Sequence, residues 1–348
     1  MKFFSFVIII IVFLIKTGNV LSNEGIFNVN NIEIDALKFK NNKNYIDDAF
    51  KKGFGKLTNR ILLEKDYIKT KQANISQIKD LISHYQITKK IDDNNKEIIR
   101  INIFFDKKKL NFFFYKKNIS YSDFSKSSIV IFPILIKNDD FFIYDNNFFY
   151  NNLKNKRKEN KELIEYILPI ENLENFEIIK NSMNNLESLS ISSLLSDYTN
   201  ENYSILIVDE LKDRVNILLK CSIKQKDITK TFVMKKNELT GGELYKKIIL
   251  KTKKEILEII KSQNIIDLQT PSFLNITLEI KNNNDLLNLQ SALEKIDLIE
   301  NFSVIELSKN EVKMKIKYYG KIKSITEKFS KFGIKVLMRE NQWKLKII

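Results

Sequence analysis

One cysteine, Cys221, and one histidine, His84, are the whole stock of thiol and imidazole in 348 residues. Brought together they would form a thiolate–imidazole pair, the histidine drawing off the thiol proton to leave a nucleophile. Each also has a plainer reading. Cys221 lies in Leu218-Leu219-Lys220-Cys221-Ser222-Ile223, a strand-like stretch in which a cysteine is buried and inert. His84 reads as a histidine at the edge of a core or on the surface. The counts exclude an intramolecular disulfide, a thiolate zinc site and any metal site built on several histidines.

Carboxylates come in adjacent pairs at Asp47-Asp48, Asp92-Asp93, Asp139-Asp140 and Asp209-Glu210. Neighbouring acids in a strand point to opposite faces, so they do not converge on one metal or one bond, and turn or cap duty explains them. The alternating acids of a calcium loop are absent. Gly241-Gly242 at a helix start could cradle an anion. Neither GxGxxG nor GxxxxGK[ST] occurs, however, and Thr240 with Glu243 reads as a capping box. No cofactor is expected.

The densest basic run is Lys154, Lys156, Arg157, Lys158 and Lys161. It is a candidate anion-binding surface for lipid headgroups, lipopolysaccharide or wall polymers, against the alternative of a solvated face. The net charge of +15 supports the milder reading, because Lys, Asn, Ile and Phe are over-used together while Arg is scarce. Coding bias toward AT produces that pattern, whereas a specific phosphate binder concentrates Arg for bidentate contacts. The aromatic stretches 112–115, 141–144 and 148–150 read as core, with room for an exposed partner patch. Sequons at Asn74, Asn118, Asn202, Asn275 and Asn301 are what chance supplies at this Asn content.

The N-terminus speaks of compartment. Lys2 precedes an apolar run over 3–15, then Lys16, Thr17, Gly18 and Asn19, then Val20-Leu21-Ser22. That is the order of a secretory leader, with cleavage expected after Ser22. The run is shorter than the roughly 20 residues that span a bilayer. An uncleaved anchor and a buried first strand are the competing readings. No transmembrane segment is expected after cleavage.

The elements that must position these groups predict an α+β chain: a signal peptide at 1–22, then three small mixed domains at 23–126, 127–266 and 272–348. In the first, Tyr45, Ala49, Gly53, Leu57 and Ile61 repeat every four residues, as a helix requires, with Asn44 as its cap. A strand precedes it, though the alternation slips at Asn30-Asn31. A short helix at 75–83, strands at 84–90 and 96–106 and a helix at 107–116 follow. In the second, Ile129-Val130-Ile131-Phe132-Pro133-Ile134-Leu135-Ile136 reads as a strand buried on both faces, with Pro133 marking an edge or strand end. Its hairpin partner is expected at 141–144, further strands at 204–208, 215–223 and 228–234, and a long helix to about Ser262. The third reads β-α-β-β-α-β plus one strand, the ferredoxin-like pattern, with Gly333 capping its second helix.

Three stretches near the start, DDAFKKGFGKLTNRIL (47–62), EIIRINIFFDKKKL (97–110) and SIVIFPILIKNDDFFIYDNNFF (128–149), combine with YYG (318–320) and QWKLKII (342–348). Together they resemble the bacterial domain-of-unknown-function family 2066, exported envelope proteins without characterised activity. Asn59 stands where that family tends to have Gly, and Phe148-Phe149 where it tends to have Trp. The family has no established catalytic residues, so the resemblance assigns none. Its middle domain is also similar in strand order to envelope-assembly domains of the TolB N-terminal or curli-secretion accessory kind, a likeness of fold alone. The expected function is a non-catalytic periplasmic binding or scaffold factor whose partners are envelope proteins, not nucleic acid. A polyanion-binding protein and an envelope hydrolase with an unrecognised site are the alternatives.

Overall fold

The computed structural model describes residues 25–35, 45–91, 97–124, 126–154, 163–236, 241–282, 284–339 and 342–347. The expected leader and the Asn44 cap lie outside them. The fold is α+β, and the chain divides into two compact units. One comprises Ile61–Lys65 and Ser120–Asp267. The other comprises the described residues of Met1–Arg60, Asp66–Ile119 and Leu268–Ile348, so the expected first and third domains fall in one unit.

The chain opens with β1 (Asn28–Asp35), α1 (Tyr45–Ile61), α2 (Glu64–Thr70), α3 (Ile75–Leu81), β2 (Ile82–Ile91), β3 (Glu97–Phe105) and α4 (Lys107–Lys116). The three strands form an antiparallel sheet in the order β1-β3-β2. The fourfold spacing in α1 does what it predicts: Ala49, Gly53, Leu57 and Ile61 are all buried. Gly53 permits the close approach of helix to sheet, since a Cβ there would stand 2.6 Å from Ile103 Cδ1 and 2.8 Å from Ile32 Cδ1. The slip at Asn30-Asn31 is a β-bulge. The register shifts between Val29 and Ile32, Asn31 takes φ 57°, and its N–H donates to Asn102 Oδ1 at 2.8 Å.

The second unit is built on β4 (Tyr121–Ser122), β5 (Ser127–Lys137), β6 (Asp140–Phe142), α5 (Phe148–Leu153), β7 (Ile164–Ile167), α6 (Leu173–Asn181), a 3-10 segment (Met183–Ser188), α7 (Ile191–Leu195), β8 (Asn202–Glu210), β9 (Arg214–Ile223), β10 (Lys226–Lys235), α8 (Gly242–Gln263) and β11 (Ile265–Ile266). Its main sheet runs β10-β9-β8-β5-β6, with β7 also on β5 and with β5 and β8 parallel. One face packs Ile129, Ile131, Leu206 and Val208 against Ile248, Ile256 and Ile260 of α8. The other packs Val130, Phe132, Ile134, Ile205 and Ile207 against Ile179, Leu194 and Leu195. The apolar run in β5 is therefore buried on both sides, as its continuity predicts.

Pro133 lies in mid-strand rather than at a strand end, on a stretch of β5 that is locally an edge. β7 pairs with β5 only at Ser127–Val130 and β6 only at Leu135–Lys137, which leaves a gap on that side. A residue without an N–H is tolerated there, and Asn147 Nδ2 donates to the Pro133 carbonyl at 3.0 Å in place of a strand. The start of α8 departs from expectation. Gly241, at φ 56°, is its N-cap and no side chain caps it, while Thr240 lies outside the described residues. Glu243 pairs instead with Lys246 at 2.8 Å. Near the end of α8 the buried Lys261 donates to the Leu62 carbonyl at 2.9 Å and to Glu258 at 3.2 Å. Burial pulls its pKa down, against the pull of Glu258.

The chain closes with β12 (Ser272–Glu279), α9 (Asn284–Lys295), β13 (Ile299–Leu307), β14 (Glu311–Tyr318), α10 (Ile322–Lys331), β15 (Ile334–Arg339) and β16 (Gln342–Ile347). The β-α-β-β-α-β order is present, and the extra strand does not sit at an edge. β16 lies between β12 and β15, parallel to the first and antiparallel to the second, in the order β13-β14-β12-β16-β15. Gly333, at φ 70°, ends α10 as expected. Lys107, at the start of α4, donates to the carbonyls of Ile299 at 2.6 Å and Ile296 at 3.2 Å, just beyond the end of α9.

Candidate functional site

The second unit holds an open depression of about 550 Å³ where the helical layer over one sheet face gives out before the last strands. Its floor is the β9–β10 hairpin. Alternation along β9 puts Val215, Ile217, Leu219, Cys221 and Ile223 into the core, and turns Leu218, Lys220 and Ser222 to the depression's side. Its wall is the segment from Ser188 to Tyr198, which lays Leu189, Ile191 and Leu195 along the apolar flank.

Lys220 holds that wall in place. Its ammonium donates to the carbonyls of Glu187 at 2.6 Å and Leu189 at 2.8 Å, pinning the end of the 3-10 segment over β9. Ser190 Oγ accepts from the Ser193 N–H at 3.0 Å and so caps α7. Tyr203 accepts from the Asn200 N–H at 2.7 Å and donates to the Tyr198 carbonyl. The Tyr198 hydroxyl accepts from the Ile170 N–H at 2.7 Å, which orients its ring. Across the floor, Asp227 stands directly opposite Ser222, and Thr229 opposite Lys220.

The hairpin also has a free edge. β10 ends the sheet, and its outer side pairs with no strand among the described residues. Lys224 and Gln225, at φ 49° and 65°, make a two-residue turn closed by Ile223 and Lys226. In such a turn the closing pair exchanges both ladder hydrogen bonds, so Asp227, Thr229, Thr231, Val233 and Lys235 direct their backbone groups outward. Val233 is 60% exposed.

A second polar cluster lies at the carboxyl ends of the parallel strands β5 and β8. Glu210 is held by Lys236 at 2.8 Å, by Lys137 at 3.6 Å and by the Tyr245 hydroxyl, which donates to it. Burial opposes ionisation of Glu210, but the Lys236 and Tyr245 hydrogen bonds and the Lys137 charge outweigh it and hold the carboxyl below its usual range. Burial first, and then the Glu210 carboxylate, push the Tyr245 hydroxyl far up. The rings of Phe148 and Phe149 flank Tyr245 at 5.2 and 5.1 Å. Glu210 belongs to one of the expected acid pairs, and its work here is to tie α8 to the strand ends.

The remaining sequence candidates fall as follows. Cys221 is 1% exposed, its thiol lies 3.5 Å from Ser204 Oγ, and burial pushes its pKa up to about 11. His84 is exposed on β2 and stacks on Phe104 with ring centres 4.3 Å apart. The Oγ of its neighbour Ser83 lies 3.4 Å from the imidazole Nδ1. His84 and Cys221 belong to different units. Lys154 stands exposed just past α5, and Lys156, Arg157, Lys158 and Lys161 lie outside the described residues. No group of three or more His, Cys, Asp or Glu suited to a metal occurs among the described residues. Nor does any described helix have the length and apolarity to cross a membrane. Ser222, Asp227 and Thr229 were not singled out from the sequence, because isolated serines and threonines in an alternating strand carry no motif.

No family model matches the chain, and no curated protein matches it. Among solved structures, the crystal structure of lipoprotein GNA1162 from Neisseria meningitidis is similar to part of it at 10% identity. That match covers 37% of this chain and 96% of that one with a TM-score of 0.23, too low to carry an argument.

Proposed function

We propose that the chain is an exported, non-catalytic binding and assembly factor of the bacterial cell envelope, acting in the periplasm through contacts with envelope proteins. The observation that carries this reading is the outer edge of β10. It offers the outward backbone groups of five alternate residues beside an open depression, the arrangement by which an extended segment of a partner adds a strand to a sheet. Its lysines at 226, 230 and 235 are of the kind that blunts an edge, yet the outer backbone groups of this ten-residue strand pair with no strand among the described residues and remain a template for pairing. The leader at 1–22 and the resemblance to family 2066 supply the compartment. The engagement of Lys220, Cys221 and Glu210 in the fold favours recognition over covalent chemistry.

The experiment is affinity purification of the tagged full chain from cross-linked cells, beside its Thr231→Pro variant. Proline at 231 removes one outward N–H and leaves the β9 ladder intact. The reading expects a mature chain beginning at Asn23 and an envelope-protein partner that the variant loses. An intact Met1, or partners retained unchanged by the variant, would overturn it.

A further inference from the structure

We infer that the depression over β9 and β10 is a binding site for a neutral saccharide. A pyranose ring presents two kinds of surface, hydroxyls around its rim and apolar C–H groups on its faces. A site that recognises it therefore places hydrogen-bonding groups of both senses beside an apolar or aromatic wall. The depression has that division. On one flank Ile191 and the rings of Tyr198 and Tyr203, fixed by hydrogen bonds through their hydroxyls, stand over the buried Leu189 and Leu195, with Ser188, Ser190, Ser192 and Ser196 along the rim. The opposite side is polar: Ser222 and Thr229 can donate or accept, and the Asp227 carboxylate can accept from two adjacent hydroxyls. None of these three side chains is spent on a hydrogen bond among the described residues, whereas the capping and pinning groups around them are.

The charge balance separates this ligand from a phosphate or other anion. Among the described residues that line the depression Lys220 is the one cation, with two of its three N–H groups given to carbonyls, and the carboxylate of Asp227 in the same lining balances its charge. With one charge of each sign, the lining offers a phosphorylated ligand no net attraction. The volume of about 550 Å³ lies within the range of roughly 300–1,000 Å³ typical of small-ligand sites. The openness of the floor toward the β10 edge suits a short oligosaccharide or the end of a longer glycan. This inference does not rest on the strand-pairing reading, since it uses side chains on the sheet face rather than backbone groups on its edge.

The test is calorimetric titration of the purified full chain with maltose, cellobiose, N,N′-diacetylchitobiose and, as the anionic control, inorganic phosphate. At least one disaccharide should bind with a dissociation constant of millimolar or tighter, and phosphate should neither bind nor compete. Asp227→Ala, on an exposed position of the hairpin, should weaken that binding about tenfold or more, as loss of a charge-assisted hydrogen bond does. Ser222→Phe should abolish it by filling the floor, with circular dichroism confirming the fold of each variant. Thr231→Pro should leave it unchanged, so that a failure of sugar binding is distinguished from a failure of strand pairing. Absence of binding by all three disaccharides, binding indifferent to Asp227→Ala, or displacement by phosphate would each overturn the inference.

Discussion

β5 and β8 differ from β9 and β10 within one sheet, and the difference bears on where the proposed binding surface lies. The first pair is buried on both faces, so nearly every residue from Ile129 to Leu135 is apolar. The second pair is covered on one face and only in part on the other, where Leu218 meets the helical layer, and the residues of β9 alternate. A continuous apolar run leaves no position for a recognising group, while alternation frees every second residue. The depression opens where coverage of the second face gives out. The proposed recognition and the stability of the sheet therefore draw on different strands, and substitutions should separate them.

The largest effect is expected in the covered pair. Ile134→Ala, at a position without exposure, should lower unfolding stability by about 2–5 kcal/mol, whereas Thr231→Ala on β10 should stay within about 0.5 kcal/mol. Chemical denaturation measures both, and comparable losses would break the contrast between the two pairs.

Next comes the clip at the boundary. Lys220→Ala removes both hydrogen bonds to the Glu187 and Leu189 carbonyls and should cost about 1–3 kcal/mol. Hydrogen exchange should quicken in Met183–Leu189 more than in β8. Uniform acceleration through the sheet would mean that Lys220 does not hold the wall separately.

Lys107 repeats the device in the other unit, where burial lowers its pKa from 10.5 to about 8. Between those values the unfolded chain binds more protons than the folded one, so this group's contribution to stability rises with pH across that window. Wild type should therefore gain stability relative to Lys107→Met between pH 8 and pH 10, read from paired denaturation curves. A flat difference would place the ammonium in water.

The smallest perturbation tests the alternation itself. Cys221 faces the core, and a thiol reagent should label it only when the chain unfolds. In a Cys221→Ala background, Ser222→Cys should label in the native state. The reverse order would shift the register by one residue and turn the proposed floor inward.

Much of this scaffold was legible in the sequence because its signals are periodic. The fourfold stripe of α1, the continuous run of β5 and the alternation of β9 each read out one face of one element. Pro133 pointed to an edge but not to where it lies, because the gap between β7 and β6 is set by two other strands. The stretch 163–198 gave little, since β7, α6 and α7 are 4, 9 and 5 residues long and are held by tertiary packing rather than by propensity. The depression was not legible at all. Its wall comes from 188–198 and its floor from 220–229, and the serines that line it are indistinguishable in sequence from turn residues.

The most direct measurement is site-specific photo-cross-linking in living cells, with a photoreactive residue at Val233 on the β10 edge and a control at the exposed Leu287 on α9. The account predicts an adduct to an envelope protein from position 233, not from 287, that disappears when Thr231→Pro is added. Adducts of equal yield from both positions, or an adduct at 233 that survives the proline, would contradict it.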